Sequence, residues 1–392
     1  MTHGGGELKV KESSMLSGYS VRVLSDSRLG FSYCQEKEGI PQAMERAIAL
    51  SKSAPKSGFS FAPKSSFMRP RLADRSIDPD DIEDFKGMMD AVRDAAESNK
   101  GQSRVIMSAS RSETRLENTS GFFGAYDQTD ISIYAETMDG DGFGYSYLSS
   151  NRMPKDPSDL GAKAARMAKD MKGAKKPETG SYTVVMELEA LGSLLDTFLP
   201  SLSGDWKRRN MSRLDIGKKM FDDKFSLFED GLADGSSARP FDDEGTPSVR
   251  RSLVERGAVK SFLYDRETDA LANTSGGGCC GRDSFDSVPR ISESNLVIPP
   301  GDMKDLSEIP HFIEVHSAHG AHTANPASGD IGLEVSVAFE CKNGIRRPLR
   351  GFMLSGNVFS LFNGIEAIEK RQQTLGSLIS PRIAFRGVKA VS

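Results

Sequence analysis

Lys172-Gly173-Ala174-Lys175-Lys176-Pro177-Glu178-Thr179-Gly180 is the stretch on which the organisation of the chain turns. It is charged, holds both Pro and Gly, and shows no apolar period, so it reads as a linker. Upstream, Asp156-Pro157-Ser158 precedes a helix from Asp159 to about Met171, and strands are predicted at Arg104–Ala109, Thr114–Thr119 and Thr129–Glu136. Downstream, Tyr182–Leu188 reads as a strand and Leu191–Phe198 as a short helix, and the rest is strand-rich with Gly turns. The expected fold is α+β. An α/β N-terminal domain spans residues 1–175 and a β-rich C-terminal domain residues 176–392.

Further upstream, Tyr19–Leu24 alternates apolar and polar residues as a half-buried strand does. Ser25–Gly30 is a turn cluster, and Gly30–Cys34 is the returning strand of a hairpin. Pro41–Ser51 reads as a helix with Met44, Ala47, Ile48 and Leu50 as its apolar positions. A second helix is predicted from Pro79 to Ser98, with Asp78 as its cap and Phe85, Met88, Met89 and Val92 toward the core.

The 392 residues hold 51 Lys and Arg against 55 Asp and Glu, with no basic block in the linear sequence. That argues against a dedicated nucleic-acid binder. No apolar run approaches the ~18–20 residues of a membrane span, and Met1-Thr2-His3-Gly4-Gly5-Gly6 lacks the features of a signal peptide. Four cysteines, two of them adjacent as Cys279-Cys280, make neither a disulfide scaffold nor a zinc spacing. The expectation is a cytoplasmic protein with reduced thiols.

Four of five histidines fall between His311 and His322. His316, His319 and His322 are weak metal candidates, since three imidazoles can hold zinc. Gly320 and Asn325-Pro326 speak against a helix there, so a polar loop is expected. Asp242-Asp243-Glu244-Gly245 reads as a solvated turn or, in a cleft, as a contact to a metal or a substrate amine. Ser275–Arg282 is Gly-rich but lacks the Lys-Ser/Thr of a phosphate loop. A nucleophile at Cys279 or Cys280 would need a base such as His322.

These motifs resemble, in order, those of the TldD/PmbA family, also named modulators of DNA gyrase. Phe241–Pro247 is similar to its D-D-E-G-x-P box, and Leu253–Asp265 to the hairpin after it. Pro289-Arg290-Ile291-Ser292 is similar to P-R-M-T-N. His322-Thr323-Ala324-Asn325-Pro326 with Ser328-Gly329-Asp330 is similar to H-x-x-N-x-x-x-G-D. Leu116–Gly121 looks like the N-S-x-G strand end of the first half. The resemblance implies a pseudobarrel-like C-terminal domain. It also implies substrate contacts at Asp242, Asp243, Glu244, His322, Asn325 and Asp330. Members usually have a helix and a strand before the segment matched by Tyr19–Leu24. The 18 residues here imply a trimmed first unit or a misassigned start.

TldD-type members resemble zinc peptidases with an H-E-x-x-x-H helix and a distant cysteine. Here Leu188–Leu195 has no histidine, and Gln372-Gln373-Thr374-Leu375-Gly376 stands in the place of the cysteine. The resemblance therefore implies a PmbA (TldE) kind of subunit with no catalytic residue and no cofactor of its own. Its partner would be a zinc-bearing TldD-type subunit or a second copy, and its substrates unfolded peptides, with no direct nucleic-acid or membrane contact. The alternatives are a self-sufficient hydrolase, with metal on His316, His319 and His322 or on Asp242-Asp243-Glu244, and a protein-binding modulator of gyrase.

Overall fold

A computed structural model describes residues 2–4, 7–10, 12–97, 102–320 and 325–392. The first half runs β1 (Thr2–Gly4), β2 (Glu7–Val10), β3 (Tyr19–Ser25), β4 (Arg28–Cys34), α1 (Ile40–Ser51) and α2 (Ile82–Glu97). It continues with β5 (Gln102–Glu117), β6 (Phe123–Asp139), β7 (Gly142–Ser150) and α3 (Ser158–Asp170). After the linker come β8 (Gly180–Met186), α4 (Leu188–Phe198), α5 (Gly204–Arg208), β9 (Leu227–Asp230), β10 (Arg250–Glu255) and β11 (Ala258–Val259). Next are α6 (Arg266–Ala272), β12 (Cys280–Gly281), β13 (Arg290–Ile291), β14 (Leu296–Val297) and β15 (His311–His319). The chain ends with β16 (Asp330–Lys342), β17 (Ile345–Leu349), β18 (Phe352–Asn357), α7 (Val358–Asn363), β19 (Ile365–Leu375) and β20 (Leu378–Val391).

The fold is α+β. An antiparallel sheet in the order β2-β1-β5-β6-β7 carries α2 and α3. Its long strands follow from alternation: Thr129, Ile131, Ile133, Ala135 and Thr137 of β6 are all buried. The strands predicted at Arg104–Ala109 and Thr114–Thr119 are one strand, β5, because β6 pairs with it along its whole length. The helix α2 starts at Ile82, not Pro79. Asp81 Oδ1 accepts from the Asp84 N–H at 3.1 Å, whereas Asp78 accepts from the Asp80 N–H within the preceding turn.

Helix α1 turns its small side to the β3–β4 hairpin. Ala43, Ala47 and Ser51 are buried, while Met44, Ile48 and Leu50 are exposed. The reason is Gly30. A Cβ there would stand 1.8 Å from the Ala47 carbonyl oxygen, so helix and strand meet at backbone distance.

In the second half β20, β18, β16, β15 and β8 pair in turn, and β8 pairs back to β20, closing a five-strand barrel. Leu191, Leu194, Leu195 and Phe198 of α4 join Val184, Met186, Ile313, Val315 and Phe385 in its core. The linker is tacked down: Lys175 bridges Leu349, and the Arg350 N–H donates to the Lys175 carbonyl at 3.0 Å.

Candidate functional site

Strand alternation builds a charged cluster on the outer wall of the barrel. Ile313 and Val315 of β15 face α4, so Glu314 and His316 face outward. Parallel pairing sets Glu314 beside Val185 and Val315 beside Met186. The chain then leaves β8 at Glu187, the N-cap of α4, whose N–H donates to the Val315 carbonyl at 3.0 Å. This register brings Glu187, Glu314 and His316 together. Ile383 of β20 also lies opposite Met186, so its neighbour Arg382 reaches the same spot.

Arg382 is the hub. Its guanidinium pairs with Glu369 of β19, with Glu187 at 3.2 Å and with Glu314 at 3.9 Å. His316 Nε2 lies 3.0 Å from Glu314, and Arg346 reaches Glu314 at 3.3 Å and Asp170 of α3 at 3.4 Å. The Arg346 guanidinium also lies over the Phe339 ring, 3.3 Å from its centroid. Burial would raise the Glu314 carboxyl, but the His316 hydrogen bond and the charges of His316, Arg346 and Arg382 outweigh it and hold it at about 2. Burial wins at Glu187, which is raised. Burial and the nearby Glu314 charge push the Cys341 thiol up to about 11, so it is not a thiolate nucleophile at neutral pH.

The ligand atoms of Glu187, Glu314 and His316 lie within 4.8 Å of one another. Two carboxylates and one imidazole are a possible donor set for a divalent ion. Arg382 and Arg346 already neutralise these carboxylates, however, and a dication would have to displace or repel them. Helix α4, where the resemblance puts zinc ligands, offers only Glu189 near its start. Glu189 accepts from Ser317 Oγ at 2.8 Å and faces the Tyr145 hydroxyl of β7. These residues do not fit a zinc-peptidase centre.

The histidine segment is strand β15, not a polar loop. Its hydrophobic alternation through Phe312, Ile313, Val315 and Ala318 outweighs the polar residues between. His316 and His319 do not converge: His319 Nε2 lies 3.2 Å from Ser317 Oγ, and His311 pairs with Glu340 at 2.9 Å. His322 lies outside the described residues.

Nor is the carboxylate box a solvated turn. Asp242 and Glu244 are 1% and 6% exposed. Glu244 pairs with Arg22 of β3 at 2.6 Å and accepts from the Arg266 N–H at 2.7 Å. Asp243 faces Arg282, which donates to Ser20 of β3. Asp242 Oδ1 caps its own turn, accepting from the Glu244 and Thr246 N–H groups at 3.0 and 2.8 Å, while Oδ2 has no partner among the described residues. Burial, with the Glu244 charge beside it, pushes Asp242 up to about 7. Glu244 directly, and Asp243 through Arg282, thus clasp the N-terminal hairpin to the second half, while Asp242 shapes the turn that carries them.

Cys279 and Cys280 are fully buried beneath this clasp. Burial pushes Cys279 up to about 12 and Cys280 further, which removes them as nucleophiles. Asn325 and Asp330 close a turn: the Asn325 N–H donates to the Asp330 carbonyl at 3.2 Å, and the Asp330 carboxylate accepts from Asn357 and Ser328. Sequence reasoning missed Glu187, Glu314, Glu369 and Arg382. The available signal was a lone charge in apolar strand sequence, as in Phe312-Ile313-Glu314-Val315 and Pro381-Arg382-Ile383-Ala384.

Three models of the PmbA/TldA metallopeptidase family match the chain: domain 1 over residues 5–51, the central domain over 74–172 and the C-terminal domain over 179–392. An uncharacterized protein of Methanocaldococcus jannaschii is 26% identical over 386 residues, 94% of this chain and 88% of that one. A metalloprotease of Methanothermobacter thermautotrophicus is 22% identical over 382 residues, covering 93% and 84%. The fold is also that of TldE from Thermococcus kodakarensis, with a TM-score of 0.83 at 21% identity, covering 95% of this chain and 89% of that one. A Thermotoga maritima protein named as a candidate modulator of a DNA gyrase superposes with a TM-score of 0.86 at 21% identity, covering 95% and 88%.

Proposed function

Because the chain belongs to the PmbA/TldA metallopeptidase family, we propose that it is a TldE-type cytoplasmic subunit. It would act beside a zinc-bearing TldD-type partner that cleaves unfolded peptides, and would bind and align the peptide without supplying the metal. The observation that carries this reading is Arg382, whose guanidinium already engages Glu187 and Glu314, the carboxylates of a possible donor set with His316, and Glu369 beside them. The imidazole-free α4 supports it. Sequence-tolerant grip on an unfolded peptide needs only main-chain hydrogen bonds to a strand edge.

The test is reconstitution. The purified chain, a TldD-type protein and their mixture are assayed on an unfolded casein-like substrate, with metal content measured by elemental mass spectrometry. The mixture should co-elute as one complex and cleave faster than the TldD-type protein alone. The chain by itself should hold far less than one zinc and cleave nothing. Hydrolysis by the isolated chain, lost in Glu314→Gln, would overturn the reading.

A further inference from the structure

Two stretches of the sequence are locally rich in cations, and folding joins them into one patch. Residues 163–176 carry six Lys or Arg and a single acidic residue, and residues 341–350 carry four Lys or Arg and none. The two segments, 165 positions apart at the nearest, are brought together where Lys175 bridges Leu349 and Arg346 reaches Asp170. Within the patch Lys172 and Arg350 pair with Asp139 and Asp141. Lys169, Lys175, Lys176, Lys342 and Arg347 are exposed and have no acidic partner among the described residues.

The patch surrounds a sheet edge. β17 pairs with β16, and the linker covers only its Leu349 end, so the outer side of Ile345–Arg347 has no strand partner among the described residues. Ile345 is 58% exposed on this edge. An unpaired strand edge offers main-chain donors and acceptors to an extended chain. The cations around it select the charge of that chain. Single-stranded nucleic acid is read by stacking on aromatic side chains, and neither basic segment contains an aromatic residue.

We infer that the outer edge of β17, with Lys175, Lys176, Lys342 and Arg347, docks an extended acidic segment of a partner protein. The inference is independent of the peptidase reading, because it concerns binding to the isolated chain.

The test measures anisotropy of a labelled 12-residue peptide of alternating Glu and Val on the full chain, with a Gln/Val peptide and a 20-base-pair duplex as comparisons. The acidic peptide should bind at least about tenfold tighter than the Gln/Val peptide, and that margin should shrink as salt shortens the Debye length. The double variant Lys175→Glu, Arg347→Glu should lose roughly tenfold in affinity, two charge reversals at a docking rim. Far-ultraviolet circular dichroism checks that this variant is folded. Equal binding of the two peptides, or an unchanged Kd in the folded double variant, overturns the proposal. Duplex binding tighter than peptide binding also overturns it and assigns the patch to nucleic acid.

Discussion

Two buried carboxylate assemblies hold this protein together, and they solve the same problem differently. On the barrel wall, Glu187, Glu314 and Glu369 surround Arg382, with His316 and Arg346 alongside, and Glu314 stays ionised. In the hairpin clasp, Arg22 pairs with Glu244 alone, Asp242 keeps one oxygen without a partner among the described residues, and both carboxyls are raised. Burying a charge is tolerable when guanidinium groups and hydrogen bonds replace water. Where they are too few, the group takes a proton instead. On the wall Glu314 is thus held in its charged form, whereas in the clasp Asp242 is held near neutrality, and burial raises Glu187 and Glu244 alike.

Removing the hub should have the largest effect. Arg382→Met leaves three partly buried carboxylates without their shared cation and should cost about 3–5 kcal/mol, read as the shift of the guanidinium midpoint. A loss under about 1 kcal/mol would mean the wall is wet and the contrast false. Arg22→Met should cost less, about 1–3 kcal/mol, because Glu244 can protonate once its partner is gone. Limited proteolysis should then cut first in the β3–β4 hairpin and the segment after α1, which the clasp anchors.

Asp242→Asn sharpens the comparison through pH. The carboxyl sits near 4 when unfolded and at about 7 when folded. The folded state thus holds the extra proton between those values, and stability falls as pH rises from about 4 to about 7. The amide keeps the acceptor for Glu244 and Thr246 and removes the ionisation. The variant should match the parent near pH 4 and be more stable at pH 8 by up to about 4 kcal/mol, about 1.4 kcal/mol for each pH unit between the two values. Parallel stability curves from pH 4 to 8 would show that Asp242 does not titrate in the folded protein. The smallest change is expected at the rim: Arg152→Ala, which breaks an exposed pair with Asp234, should move stability by less than about 1 kcal/mol.

Local signals were legible and long-range ones were not. The hairpin at Tyr19–Cys34, the helix starting near Pro41 and the strand after the linker could be read because turn residues and alternation act over a few positions. The same signals marked Met44, Ala47, Ile48 and Leu50 of α1 as apolar without deciding which side is buried. Spacing identifies Met44 and Ile48 as apolar, but only the backbone approach at Gly30 decides that Ala43 and Ala47 face inward. The histidine spacing of three suggested convergence, but within β15 His316 meets Glu314 and His319 meets Ser317.

The sequence by itself determined the family pattern, the α+β composition of the two halves and the absence of imidazoles from α4, since these depend on residue identity and order. Only the tertiary structure decided that Glu187, Glu314, Glu369 and Arg382 form one assembly and that Arg22 meets Glu244 across 222 positions. Such contacts are set by strand register and barrel closure, and a one-residue slip in register would turn Glu314 from the outer wall into the apolar core.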